Sequence, residues 1–212
     1  MLKAVIFDFD GTLTDTRDFL YDVYVRLHEK YGINKLSREE FEKMKNMPIK
    51  ERLVTAGVSL FKLPVLLKEA REIYAEYINR AVPYRGIREV IRKLKNAGYY
   101  LCIVSSNTTE NIKKTLSVQG LDLFDKIYTS SKLFMKNHAI CHALEQIGVK
   151  NSEAVYIGDE LRDVVACKRV PMKMIAVSWG YDHETLLLNG GADYLVRDPY
   201  EIIELLPQIE GV

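Results

Sequence analysis

The sequence predicts a doubly wound α/β fold, a parallel sheet covered on both faces, interrupted by an α-helical insertion. Three observations carry that expectation. Short apolar runs alternate with helical patterns over most of the 212 residues, as parallel strands joined by crossover helices require. Several of those runs end in polar residues, at the edge where open α/β sheets bind ligands. About 70 residues of helical pattern separate the first run from the second, where a crossover needs only one helix.

The first strand is AVIFDF, residues 4–9, which runs into a turn at Gly11. Helical spacing then begins with Phe19, Leu20, Val23, Tyr24, Leu27 and Tyr31. Ser37 and Glu40 form a capping-box pattern opening a second, short helix. Pro48 suits the first turn of a third. The run LPVLLKEAREIYAEYINR makes a long amphipathic fourth. The expected organisation is therefore a core of residues 1–14 and 83–212, with a helical domain of residues 15–82 inserted above the first strand's loop. Within the core, GIREVIRKLKNAG reads as a helix closed by Gly98, with Lys93 and Lys95 in its last turn. The strand YYLCIVS follows, then the helix TENIKKTLSVQG, the strand DKIYTSS and the helix HAICHALEQIG. AVYIGD, KMIAVSW and ADYLV complete the strands, and LRDVVACKR and PYEIIELL the helices.

Composition bounds the function. The chain is 48% hydrophobic and 28% charged, which a disordered chain is not, and its net charge of +1 offers no field for nucleic acid or a membrane surface. No apolar stretch approaches the ~20 residues of a membrane span, and MLKAVIF is too short for a signal sequence. Cys102, Cys141 and Cys167 are odd in number and widely spaced, which suits a reducing compartment, so a cytoplasmic location is expected.

The chemistry-bearing residues gather at strand ends. Asp8 ends the first strand and Asp10 lies in its turn. The second strand ends at Ser105, followed by Ser106 and Asn107, and AVYIGD ends at Gly158 and Asp159, with Glu160 and Asp163 just after. If these strands are neighbours, three carboxylates and a hydroxyl converge on one small volume. Like charges so close require a cation, and a sparse set of hard oxygen ligands favours Mg²⁺ over Ca²⁺. A calcium-loop reading fails on spacing, because it puts Leu13 where glycine is needed and Phe19 where glutamate is needed. His138 and His142 lie four apart on a helix but have no third ligand in reach, so an ordinary structural role is expected. Trp179 and Tyr181 follow the fifth strand, where either the site's rim or core packing would suit them.

DFDGTLTD after an apolar strand, IVSSN, Lys136 ahead of a helix, and YIGDELRD, in that order, resemble the four motifs of the haloacid dehalogenase superfamily. The helical insertion resembles that superfamily's C1 cap, and the chain as a whole is most similar to its phosphoglycolate phosphatase-like and β-phosphoglucomutase-like members. The resemblance implies a Rossmannoid core in which strand one lies between strands two and four. It implies Asp8 as a nucleophile forming an aspartyl phosphate, and Asp10 as the acid and then base. Ser105 and Lys136 would hold and neutralise the phosphoryl group, with Gly11, Ser106 and Asn107 beside it. Mg²⁺ would be bound by Asp8, the Asp10 carbonyl and Asp159, with Asp163 and Glu160 supporting that shell. An aspartate at position 10 argues for phosphoryl chemistry, since a halide leaves without protonation. Three departures stand out: Lys136 is followed by Asn137 rather than proline, Lys132 is a rival for its role, and Arg169-Val170-Pro171 replaces an Ala-Gly helix end.

The cap should set specificity. Lys45, Lys50 and Arg52, with Asn46 and Met47, could face the site and suit a second anionic group on the substrate. The expectation is a Mg²⁺-dependent phosphatase for a small phosphorylated metabolite, phosphoglycolate-like or a sugar phosphate, working as a monomer or homodimer. A phosphomutase of the same fold is the first alternative, and a non-catalytic binding or regulatory protein the second.

Overall fold

The computed structural model describes residues 1–130 and 135–210, so Lys132 lies outside the described residues. Among them, the main sheet has six parallel strands. These are β1 (Ala4–Phe7), β4 (Tyr100–Ser105), β5 (Lys126–Thr129), β6 (Ala154–Gly158), β7 (Lys173–Val177) and β8 (Tyr194–Val196), in the order β5-β4-β1-β6-β7-β8. β1 is central: Phe7 lies opposite Ile103 on one side and Ile157 on the other. Strand order reverses around β1, and the carboxyl edge of β1, β4 and β6 is thus the crevice where a ligand is expected.

Side-chain alternation sorts the core into two layers. Val5, Phe7, Leu101, Ile103, Val155 and Ile157 point to one face. There they pack on α5 (Ile87–Asn96), α6 (Thr109–Gln119) and α10 (Pro199–Glu210). Ala4, Ile6, Cys102, Val104 and Tyr156 point to the other. Their partners are α7 (Lys136–Ile147), α8 (Leu161–Arg169) and α9 (Glu184–Gly190). The turn after α8 holds Pro171 at φ +25°, a value a pyrrolidine ring disfavours. The amide of Asn151 holds that turn by donating to the carbonyls of Val170 and Pro171, at 3.0 and 2.8 Å.

Between β1 and α5 the chain leaves the core through a short antiparallel ladder of β2 (Thr14–Asp15) and β3 (Val82–Pro83). The intervening segment forms α1 (Arg17–Tyr31), α2 (Arg38–Lys43), α3 (Ile49–Thr55) and α4 (Leu63–Tyr77). The Ser37–Glu40 capping box is closed on both sides, with the Glu40 amide donating to Ser37 Oγ and the Ser37 amide to Glu40 Oε2. Phe19 and Val23 of α1 meet Ile73 and Tyr74 of α4 in one small apolar cluster, and Tyr24, Ile33, Ala56 and Leu66 make a second. Among the described residues no helix is long and apolar enough to cross a membrane.

Candidate active site

The strand ends deliver the predicted residues to one place. Asp8 leaves β1 almost wholly buried; one of its carboxylate oxygens accepts the Phe9 amide at 2.7 Å, and the other meets Lys136 Nζ at 2.6 Å. Lys136, the first residue of α7, is only 3% exposed and also reaches Asp163 Oδ1 at 2.5 Å. Its ammonium lies over the Tyr156 ring, 5.4 Å from the centroid. Burial alone would lower the Lys136 pKa, but Asp163 and Asp8 outweigh it and hold the ammonium charged. The other oxygen of Asp163 accepts the Glu160 amide, which closes a capping box at the start of α8.

Asp159 is fully buried, and both its oxygens are used. Thr12 Oγ1 donates to one at 2.7 Å and the Tyr181 amide to the other at 2.8 Å. Burial, and then the charges of Glu160 and Asp8, raise the Asp159 carboxyl well above its ordinary range. Glycine explains how it fits: a Cβ on Gly11, where φ is +80°, would lie 2.2 Å from Asp159 Oδ2. The sequence reading placed Gly11 with the phosphate-binding groups. In the structure its amide donates to the Thr14 carbonyl at 3.0 Å, and its observed contribution is room for Asp159.

Asp10 faces the space between core and cap. Asn107 Nδ2 donates to its Oδ2 at 3.0 Å, while its other oxygen is buried without a hydrogen-bond partner. Burial and the adjacent Asp8 charge push Asp10 up to about 6, against the lowering influence of Tyr74 and Asn107. An aspartate held there can give a proton and take one back near neutral pH. Ser105, also buried, accepts the Asn107 amide at 3.1 Å, which fixes the loop that presents Asn107.

One oxygen each of Asp8, Glu160 and Asp163 lie within 4.8 Å of one another. Carboxylates outnumber cations in this volume: Asp8, Asp10, Asp159, Glu160 and Asp163 face Lys136 and Arg162. Burial and that surplus also raise Asp163, in spite of Lys136. All the donors are hard oxygens, so a divalent oxygen-loving cation fits. The trio that the structure gathers includes Glu160 and Asp163; Asp159, from the expected set, lies beside it with its oxygens held by Thr12 and Tyr181.

The cap closes over this edge through several contacts. Arg71 of α4 donates to the Ser106 carbonyl at 3.1 and 2.8 Å. Arg52 of α3 pairs with the buried Asp182, and the Lys45 carbonyl accepts the His183 amide at 3.1 Å. The ammonium of Lys45 pairs with Glu42 of its own helical segment. Of the three cap cations expected to greet a second anionic group, Lys45 and Arg52 are thus already matched to carboxylates.

Sequence reasoning missed Arg162, Thr12 and Asp182. Arg162 is partly buried, pairs with Glu160, donates to Ser106 Oγ at 3.1 Å and is held strongly cationic by Glu160, Asp163 and Asp8 against the cost of desolvation. Its position inside YIGDELRD was the available signal. Trp179 packs against the main core and donates from its indole to the Thr12 carbonyl at 3.1 Å, whereas Tyr181, whose hydroxyl bonds Thr16, lines the cavity beside Asp10. His142 packs edge-on to Tyr128 and is not part of the carboxylate trio.

A family model described as haloacid dehalogenase-like hydrolase matches residues 5–177. A phosphoglycolate phosphatase of Synechococcus elongatus is 25% identical over 209 residues, covering 98% of this chain and 99% of its own. A pyrophosphatase PpaX of Bacillus velezensis is 26% identical over 209 residues, covering 96% of each. A solved structure described as a predicted phosphatase from Clostridium acetobutylicum is 27% identical and superposes with a TM-score of 0.84 over the whole of both chains. The chain is an enzyme and belongs to the haloacid dehalogenase-like hydrolase family.

Proposed function

We propose that the protein is a Mg²⁺-dependent phosphatase that cleaves a phosphomonoester through an aspartyl phosphate on Asp8. The observation that carries the reading is the pairing of two unlike aspartates. Asp8 is clamped between the Phe9 amide and Lys136, while Asp10, two residues on, opens to the cap with a carboxyl held up to about 6. The names of the full-length relatives, a phosphoglycolate phosphatase and a pyrophosphatase, support the same class.

In the first step a carboxylate oxygen of Asp8 attacks phosphorus, and the bond from phosphorus to the ester oxygen breaks. Asp10 gives its proton to the departing oxygen, so an alcohol leaves rather than an alkoxide. In the second step Asp10, now ionised, takes a proton from the water that attacks the acyl phosphate. Inorganic phosphate departs and the Asp8 carboxylate is restored. Lys136 offsets charge on the phosphoryl oxygens, and Ser105 and Asn107 orient the loop beside it. Asp8, the Asp10 carbonyl and Asp159, with Glu160 and Asp163 alongside, would hold a Mg²⁺ ion, which supplies electrostatic neutralisation of the phosphate dianion.

Phosphate release from a panel of monoesters with Mg²⁺ tests the proposal. Asp8→Asn should abolish turnover while circular dichroism and melting stay those of a folded protein, and EDTA should stop the wild type. Substantial residual turnover in Asp8→Asn would remove Asp8 as the nucleophile.

A further inference from the structure

A cavity of about 350 Å³ runs from Asp10 and Asn107 up into the helical cap. Its charged lining residues stand at the core end, as their contacts show. Arg71 holds the Ser106 carbonyl, Arg52 pairs with Asp182, the Lys45 backbone meets His183, and Arg162 pairs with Glu160. Beyond them the walls are hydrocarbon, from residues such as Leu20, Val23, Leu27, Ile33, Leu53 and Leu66. Tyr24, a polar exception, spends its hydroxyl on the Asn34 carbonyl.

Protein interiors are packed to crystal density, and an apolar void left empty is destabilising in proportion to its volume. This one falls within the ~300–1,000 Å³ range of ligand pockets, and it is continuous with the carboxyl group that would protonate a leaving oxygen. A carboxylate or second phosphate pushed past that charged end would meet hydrocarbon and lose its hydration without gaining a counter-charge. An apolar group would lose nothing. We infer that this cavity receives the leaving group, and that the preferred substrate is the monophosphate ester of an apolar alcohol, aryl or alkyl. Since an apolar cavity of ~150 Å³ admits one benzene ring, the volume corresponds to roughly two rings or a chain of about eight to ten carbons. This inference rests on the phosphatase reading and narrows it, away from the two-carbon carboxylate and the pyrophosphate in the names of the relatives.

A series of straight-chain alkyl phosphates, ethyl to octyl, tests it with Mg²⁺ present. Their leaving oxygens are nearly equal in basicity, so the chemical step is constant and the tail alone varies. kcat/KM should rise roughly fourfold per methylene until the cavity fills, and octyl phosphate should outpace 2-phosphoglycolate and pyrophosphate. Ala70→Leu, on the α4 wall of the cavity, should move the optimum to a shorter chain, which a general loss of stability would not do. A flat series, with 2-phosphoglycolate turned over faster, would overturn the inference and leave the phosphatase reading standing. No phosphate from any compound would overturn the phosphatase reading. Calorimetric titration of the same protein with octyl and ethyl phosphate then decides the cavity: tighter octyl binding upholds it, and equal binding removes it.

Discussion

The catalytic edge of the core and the interior of the cap are built on opposite plans. At the edge, Asp8, Asp159, Asp163 and Lys136 are each at most 3% exposed, and their polar atoms are tied to named partners from four segments of the chain. In the cap, four helices enclose a hydrocarbon-lined space, and Phe61 stands 97% exposed at its surface. Buried charge demands fixed geometry, because a displaced partner leaves an uncompensated ion. Hydrocarbon tolerates rearrangement as long as volume is conserved. The contrast puts a fixed charge network in the core and an adjustable apolar wall in the cap.

Substitutions across the two regions should differ accordingly. The largest effect belongs to Lys136→Met, which leaves Asp8 and Asp163 buried without their shared cation. It should cost about 3–5 kcal/mol in urea unfolding of the metal-free protein, and millimolar Mg²⁺ should restore part of it by binding the folded state. A wild-type melting curve would break the comparison at its strongest point.

Asp182 tests the seam between the regions. Burial and the Glu160 charge hold it up to about 6 in spite of Arg52. The folded protein therefore binds this proton more tightly than the unfolded chain does. The stability from this group is complete below the unfolded value near 4 and is lost as pH rises through about 6. Asp182→Asn should flatten the fall in urea midpoint between pH 4 and 6.5; an unchanged slope would contradict the assignment.

Within the cap the effects should shrink. Ser37→Ala opens the capping box of α2 and should cost about 1 kcal/mol. Smaller still is Glu76→Gln, which breaks an exposed pair with Arg26 and should leave the melting temperature unchanged within error.

Much of this was legible in the residues. AVIF, LCIVS and AVYIG announced buried strands by unbroken apolar character, and the polar residues that ended them marked the site. The β2–β3 ladder was invisible, because two residues per strand carry no periodicity. The helix α9 was missed too, with only seven residues between His183 and Gly191. Long-range partnerships had no local signature: Thr12 with Asp159, Arg162 with Ser106 and Arg52 with Asp182 depend on which loops the topology brings together. For Lys45 and Arg52, charge alone suggested a welcome for an anion. Only the fold could supply their partners, Glu42 and Asp182.

The central place of β1 also bears on how the molecule comes into being. Ala4 pairs with Tyr100 on one side and with Ala154 on the other, so the first strand to leave a ribosome waits for the whole cap to be made before its first partner and for most of the core before its second. The contacts of α1 with α4 span far less chain and can form earlier, since short loops close faster than long ones. Synthesis therefore completes the cap before the core edge that it covers. A nascent chain that stops short of Asp163 carries Asp8 and Lys136 without the carboxylate that completes their shared ion pair.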